Sequence, residues 1–492
     1  MASGDRRQVH GADYERAAEG YMAKRQLQAG AAGWVLLAGL GVAYVISGDF
    51  AGWNFGLAEG GWGGLLIATI LMAVMYTCMV LGLAELSSAL PVAGAGYGFA
   101  RRALGPLGGF ATGTAILIEY AIAPAAIVIF VGGYIESLDI FGITSGWPVY
   151  LACYALFIGI HLYGVGEALK LMFAITAIAV VALVVFVIGM IPEFDASNLT
   201  NIPPDESKSG ASDFIPFGYA GVLSAFVYGI WFFLAIEGVP LAAEETRDPK
   251  RDLPRGIIAG MIALLVFAAL ILLTAPGGAG ADALQGSDNP LPEALGIAYG
   301  ENAFVTDFVN YVGLAGLIAS FFSIIYAYSR QLFALSRAGY LPRGLSVTTG
   351  RRTPYIALLV PGLIGFLLAS IYAEATSPAE AGARMIQIAV FGATVSYVLM
   401  TLSHIVLRVR EPELERPYRT PGGTVTTGIA FVLAIAAVVA VFFVDETAAL
   451  IVALVFLVAL AYFWFYSRHR LVADAPEEEF EAIERAEAEL AG

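Results

Sequence analysis

The chain has 492 residues, of which 59% are apolar and only 14% charged, with a formal net charge of −15. Soluble domains carry about 25% charged residues, so this composition excludes a soluble globular enzyme, a disordered chain and a fibre. The acidic balance argues against nucleic acid as a partner. Cys78 and Cys153 both lie inside apolar runs, which excludes a disulfide framework and a cysteine zinc site.

In chain order, a polar leader over 1–30 reads as a cytoplasmic N-terminal segment without signal-peptide patterning. Apolar runs follow at 31–48, 61–84, 107–135, 147–163, 171–191, 214–243, 256–276, 303–329, 354–373, 384–407, 425–444 and 447–467. A membrane span takes about 20 residues, so twelve use roughly 240. The runs divide into a group of five over 31–191, an extracellular loop over 192–213, and a second five over 214–408. A cytoplasmic loop over 409–424, two further spans over 425–467 and an acidic tail over 468–492 follow. The stretch 475–490 is expected to form a solvated helix.

Lys and Arg set the orientation. Arg101, Arg102, Lys170, Arg247, Arg337, Arg351 and Arg408 follow even-numbered runs, whereas the odd loops hold only Lys208 and Arg384. The even loops therefore face the cytoplasm, and with an even number of spans both termini do too. This predicts a multi-pass protein of the cytoplasmic membrane. The opposite loops gather acids such as Glu136, Asp288 and Glu293. Such a field concentrates a cationic solute, or simply keeps loops soluble that lack Lys and Arg.

Two spans look interrupted. Ile46-Ser47-Gly48-Asp49 and Ala235-Ile236-Glu237-Gly238 each set a glycine beside an acid deep in an apolar run. Irregular backbone at membrane depth survives only where protein or a wet cavity covers it, and it marks transport sites. The two breaks lie five spans apart. Five is odd, so a five-span repeat would be inverted in the membrane. The structural alternative for each glycine is close helix packing.

Charges inside spans are costly and point to function by default. The deep ones are Asp49, Glu119 and Glu237; Glu85, Lys170, Arg330 and His404 lie near cytoplasmic ends and read as structural. No catalytic set, metal-ligand cluster or phosphate-binding loop is evident, so neither an enzyme nor a cofactor is expected. His161 reads as a satisfied polar residue.

Four loops then carry a resemblance. Glu85-Leu86, Pro91, Gly94, Gly96-Tyr97, Arg101, Gly105-Pro106 and Gly108 follow span 2, and Glu244 to Arg255 follow span 6. Ser329-Arg330 through Ala338 to Pro342 follow span 8, and Arg416 to Gly422 follow span 10. With this spacing, the chain from about 30 to 467 resembles the amino acid–polyamine–organocation (APC) superfamily. Tyr44 to Phe50, Gly52-Trp53-Asn54, His161 with Gly164 to Lys170, and Trp231-Phe232-Phe233 look most like its ethanolamine permease branch.

The resemblance implies an all-α integral membrane protein with an inverted five-plus-five repeat (the LeuT-like fold), broken spans 1 and 6, and two C-terminal helices. It implies a substrate site formed by Ile46, Ser47 and Gly48 in the first break and Ala235, Ile236 and Glu237 in the second. Glu119 and Tyr120 would face that site from span 3, and Ser323 from span 8. Two departures matter: 171–191 lacks the lysine that several relatives use for proton coupling, and Pro240 stands where many carry a glutamate.

The residues themselves bear on substrate. Carriers of this shape hold a substrate carboxylate on free N–H groups at a half-helix start. Asp49 sits there, and like charges about 4 Å apart at an effective dielectric near 20 repel by about 4 kcal/mol. Together with Glu119 and Glu237 it favours a small cationic amine, such as ethanolamine, that lacks a carboxylate. Asp49 as a helix cap is the structural alternative. Tyr120, Trp231 and Phe233 lie at levels where an ammonium meets ring faces, or they simply pack. Ser320 and Ser323 form a pair able to join span 1 carbonyls around sodium, or to pack. The expected function is import of ethanolamine or a similar amine by alternating access. A proton-coupled amino-acid permease and a non-transporting amine sensor are the alternatives. A coupled proton or sodium ion stays open as a partner. The membrane potential alone supplies about 2.3 kcal/mol per 100 mV for a monovalent cation.

Overall fold

The computed structural model describes residues 7–9, 11–18, 20–138, 142–300, 304–476 and 478. Sixteen α-helices run through them: α1 (Trp34–Val45), α2 (Ser47–Phe50), α3 (Phe55–Ala89), α4 (Gly96–Ser137), α5 (Trp147–Tyr163), α6 (Val165–Met190), α7 (Gly218–Ser224), α8 (Phe226–Trp231), α9 (Pro249–Ala279), α10 (Ala281–Leu284), α11 (Pro290–Tyr299), α12 (Phe304–Arg337), α13 (Tyr355–Ala375), α14 (Pro378–Arg410), α15 (Thr424–Val444) and α16 (Glu446–Phe465). Three short strands, β1 (Arg7–Val9), β2 (Ala12–Glu15) and β3 (Leu471–Val472), and several short 3-10 helices accompany them.

Helix is the expected outcome for these apolar runs, because an α-helix satisfies every backbone polar group within its own segment. Among the described residues, ten helical segments are long and apolar enough to cross a membrane. Two shorter apolar ones, Trp34–Phe50 and Trp147–Tyr163, lie where spans 1 and 4 are expected. Several helices outrun their apolar core. Helix α4 begins eleven residues before the expected run and bends at Gly105, whose φ of 81° is left-handed and which precedes Pro106.

The packing follows a pattern of exchange. Span 1 (α1) packs along span 7 (α9), and span 6 (α7 and α8) packs along span 2 (α3). Span 3 (α4) packs along span 10 (α14), and span 8 (α12) packs along span 5 (α6). Replacing each of the first five spans by the one five places on leaves this set of partners unchanged.

The loop after α9 carries two short helices, α10 and α11. At the arginine-rich end, β2 pairs antiparallel with β1 and parallel with β3, tying the two termini into one sheet. The expected solvated tail helix lies mostly outside the described residues. Glu478 corrects it where it is described: this residue is buried and ion-paired with Arg101 at 2.6 Å.

Candidate functional site

The interruption of span 1 has a specific cause. Ser320 of α12 inserts its hydroxyl into the helical ladder, donating to the Ala43 carbonyl at 2.7 Å and accepting from the Ser47 N–H at 2.9 Å. The hydroxyl thus replaces the bond that Ser47 would make to Ala43, and the helix kinks at Ile46. The backbone does not unwind there, contrary to expectation: Asp49 N–H donates to Ile46 O and Ala51 N–H to Ser47 O. The true unwinding comes later, at Ala51 and Gly52, where φ is −158° and 92°. Gly48 is a close-approach residue, since a Cβ there would meet the Trp231 carbonyl at 2.5 Å.

Span 6 breaks where expected. After α8 the chain passes through Ala235, a non-glycine residue in the left-handed region (φ 79°, ψ 2°), and resumes as a 3-10 helix over Ile236–Glu245. Pro240 supplies no N–H to that tighter segment, which suits its irregular hydrogen bonding. Gly238 is again a packing glycine: a Cβ would meet the Tyr120 hydroxyl at 2.9 Å and Tyr44 at 3.1 Å.

Between the two breaks lies a small cavity of about 10 Å³, lined by Tyr44, Val45, Ser47, Trp231, Leu234 and Ile324. That is room for about one water and for nothing larger in this arrangement of the spans. On one side of it, Trp231 donates its indole N–H to the Ala51 carbonyl at 2.9 Å, and Trp53 stacks on Phe232 with ring centroids 5.9 Å apart. The lining carries a phenol and a hydroxyl but no charge.

The three deep acids lie in different surroundings. Glu237, at the start of the 3-10 segment, accepts from the Tyr120 hydroxyl at 2.8 Å and from the Tyr397 hydroxyl at 3.3 Å. Tyr76 donates to Tyr397 at 2.8 Å. Glu119 is fully buried, and its carboxyl faces that of Glu237. Asp49 is equally buried, yet neither of its oxygens finds a donor among the described residues. It therefore caps nothing, and no interaction links it to the Glu119–Glu237 pair.

The remaining candidates fall on both sides of the cavity wall. Ser47 and Trp231 line it, while Ile46 sits at the kink and Ala235 at the break. Ile236 points at Gly41 and Gly260 instead. Phe233 packs on Tyr76 with centroids 5.5 Å apart. Ser323 is buried and donates to the Ser320 carbonyl of its own helix. The hydroxyls of both serines are therefore engaged within the protein. Tyr44 is a lining residue that was not singled out from the sequence as a site residue. One aromatic among many in an apolar run gives no signal.

The arginine-rich end contrasts with this. Glu245 and Arg330, both with 0% side-chain exposure, pair at 2.8 Å, and Tyr326 also donates to Glu245. Glu244 pairs with Arg337 at 2.5 Å. Glu85 accepts from Arg408 and from the Thr420 N–H, with Arg416 at 2.9 Å and His404 at 3.3 Å. Glu478 accepts from Arg101, Tyr14, Tyr97 and Tyr340. At the acid-rich end, burial and the neighbouring Glu136 and Glu293 push the Asp288 carboxyl up to about 6.

A model of the amino acid permease family matches residues 34–475. A branched-chain amino acid permease of Bacillus subtilis (strain 168) is 28% identical, covering 75% of this chain and 78% of its own length. A transporter of Rhizobium meliloti (strain 1021) is 29% identical over 82% of this chain and 84% of its own. An L-asparagine permease of Streptomyces coelicolor is 26% identical over 84% and 85%. Among solved structures, a manganese transporter of Eremococcus coleocola aligns over 91% of this chain and 98% of its own with a TM-score of 0.56 at 14% identity. That likeness bears on the fold alone.

Proposed function

Because the chain belongs to the amino acid permease family, a family of membrane transporters and not of enzymes, we propose that it is a secondary carrier for a small solute bearing an ammonium group. The solute would bind by alternating access where the kink of span 1 meets the break of span 6, in a membrane whose cytoplasmic side is the arginine-rich end. The exchange-symmetric packing of the first ten spans supports the inverted five-plus-five arrangement this requires.

Within that class, our reading is an amine without a carboxylate, ethanolamine being the type case. The observation that carries it is the bonding of three N–H groups at the kink of span 1. The Ser47, Asp49 and Ala51 N–H groups are bonded to Ser320, Ile46 and Ser47, and the cavity lining holds no cation to receive a carboxylate. A buried carboxyl without donors, Asp49, lies one residue beyond the close contact of Gly48 with Trp231. The second reading is an amino-acid permease. The names of the curated relatives favour it, and so does the mostly apolar cavity lining.

Competition against radiolabelled ethanolamine uptake in proteoliposomes separates the two. Ethanolamine and serine differ by one carboxylate. The amine reading expects serine to compete at least about tenfold less well, a difference of about 1.4 kcal/mol. Uptake of serine, asparagine or a branched-chain amino acid with no uptake of ethanolamine would establish the second reading. Asp49→Asn is expected to relax the exclusion of serine.

A further inference from the structure

We propose that Glu119 and Glu237 share a single exchangeable proton, which leaves when the solute's ammonium group arrives and is regained when the solute departs. The pair would then be a proton site of the transport cycle, one shell behind the cavity wall. This rests on the reading that the solute carries an ammonium group, and holds for an amine and for an amino acid alike.

The argument starts from hydrogen-bond inventory. Glu237 already has donors on both carboxyl oxygens, from Tyr120 and Tyr397. That arrangement suits a carboxylate, which only accepts. Glu119 has no donor on either oxygen among the described residues, is 0% exposed, and its side chain meets the carboxyl of Glu237. As an anion it would be a buried charge with nothing to satisfy it, beside a second anion, which is strongly unfavourable. As an acid it becomes a donor, and the Glu237 carboxylate is the acceptor it faces. One proton thus satisfies both groups, the arrangement expected of two carboxyl groups that cannot both ionise.

The groups around the pair do not alter this. Tyr44 faces it from α1, Tyr76 from α3, Tyr120 from α4 and Tyr397 from α14, all neutral phenols. The buried guanidinium of Arg330 is already held by Glu245. Among the described residues, no basic group is named beside either carboxyl to neutralise a doubly ionised pair. The proton can leave only if another positive charge takes its place. Tyr44 touches both regions: it lines the cavity, and its ring lies against Gly238, next to Glu237. In the exchange, the Glu119 O–H bond breaks, the proton passes to water on the open side, and the ammonium charge offsets the second carboxylate. The reverse follows on the other side. Net movement is one ammonium-bearing solute against one proton.

Glu237 sits two residues after left-handed Ala235, in the first turn of the lower half of span 6. A change of charge there acts on the segment that must move for the site to open toward the arginine-rich end.

Two measurements test this, and the first needs no solute. In infrared spectra of the purified full chain, wild type minus Glu119→Gln should contain a protonated carboxylic-acid carbonyl band. Its absence would overturn the shared proton. The second uses proteoliposomes containing a pH dye, with protein-free vesicles subtracted. Influx of ethanolamine, or of whichever amino acid the competition assay identifies, should make the interior alkaline. Glu119→Gln should lose that pH change for each solute molecule moved, while still exchanging labelled for unlabelled solute. Interior acidification, or equal alkalinisation by the Gln variant, would overturn the exchange. If Glu119→Gln fails to fold, Tyr397→Phe gives a second variant. It removes one donor from the Glu237 carboxylate and should slow the pH change more than solute exchange. Absence of any solute flux in wild type would count against the carrier reading, while the infrared band would still decide the proton.

Discussion

Two sets of buried acids divide this molecule. At the arginine-rich end, the buried Glu85, Glu245 and Glu478 and the half-buried Glu244 each meet a guanidinium, and tyrosines or backbone N–H groups complete the coordination of the three buried ones. In the middle, Asp49, Glu119 and Glu237 are as deeply buried and have no cation among the described residues. A buried charge without a partner persists only if it is neutralised or serves a ligand. On the function proposed above, the contrast separates acids that hold the fold together from acids kept for the transport cycle. The first set ties together elements that adjoin the cytoplasm in the proposed topology: Glu244 and Glu245 close the 3-10 segment of span 6 onto α12, and Glu478 binds the terminal sheet to α4.

Breaking the paired set should cost most. Arg330→Met leaves Glu245 buried without its cation and is expected to destabilise by about 3–5 kcal/mol, read as a lowered melting temperature in detergent. The double variant Arg330→Met, Glu245→Leu should recover much of that loss, because two well-packed apolar groups replace a costly pair. A double variant no better than the single would contradict this.

A smaller and more local effect is expected from Glu478→Gln. It removes the carboxylate that Arg101, Tyr14, Tyr97 and Tyr340 share. Such charge-assisted bonds contribute about 1.5–3 kcal/mol. The loss falls on the docking of the termini, so limited proteolysis between residues 11 and 30 should accelerate while the bundle melts close to wild type. Unchanged proteolysis would show that the sheet alone holds the termini.

Asp288 gives the smallest effect and one with a pH signature. Its carboxyl, pushed up to about 6 beside Glu136 and Glu293, disfavours the ionised form in the folded state. The folded protein therefore binds this proton more tightly than the unfolded chain, and the group weakens the fold as pH rises. Asp288→Asn should stabilise by about 1 kcal/mol above pH 6, after allowance for partial exposure. The gain should fade as pH falls toward 4. A gain that is constant with pH would contradict the assignment.

Much of this was legible in the chain. Apolar runs bounded by arginine loops fix most helices, and a charge in an apolar run marks Asp49, Glu119 and Glu237 without any structure. What escaped was set at long range. Ser320, which kinks span 1, lies 273 residues from Ser47, and a serine in a membrane helix looks the same whether it packs or inserts. The left-handed residue of span 6 is Ala235 rather than the nearby Gly238. Both marker glycines serve close contact, while the strain sits on a residue type with no preference for it. The terminal strands are two to four residues long, too short for a pattern, and form only because β2 and β3 meet across the whole chain. The separation of Asp49 from the glutamate pair was likewise invisible, since depth along a span does not give facing.

The division between the two sets is tested most directly by one substitution made in each and one measurement made on both. Glu245→Gln and Glu119→Gln are near-isosteric changes of two fully buried glutamates, compared by thermal melting of the purified protein at one pH. The account predicts a large drop for Glu245→Gln, which strands Arg330, by about 3–5 kcal/mol. It predicts a change within about 1 kcal/mol for Glu119→Gln, where an amide donor replaces an acid donor to Glu237. Equal losses in the two variants, or a larger loss at Glu119, would contradict it.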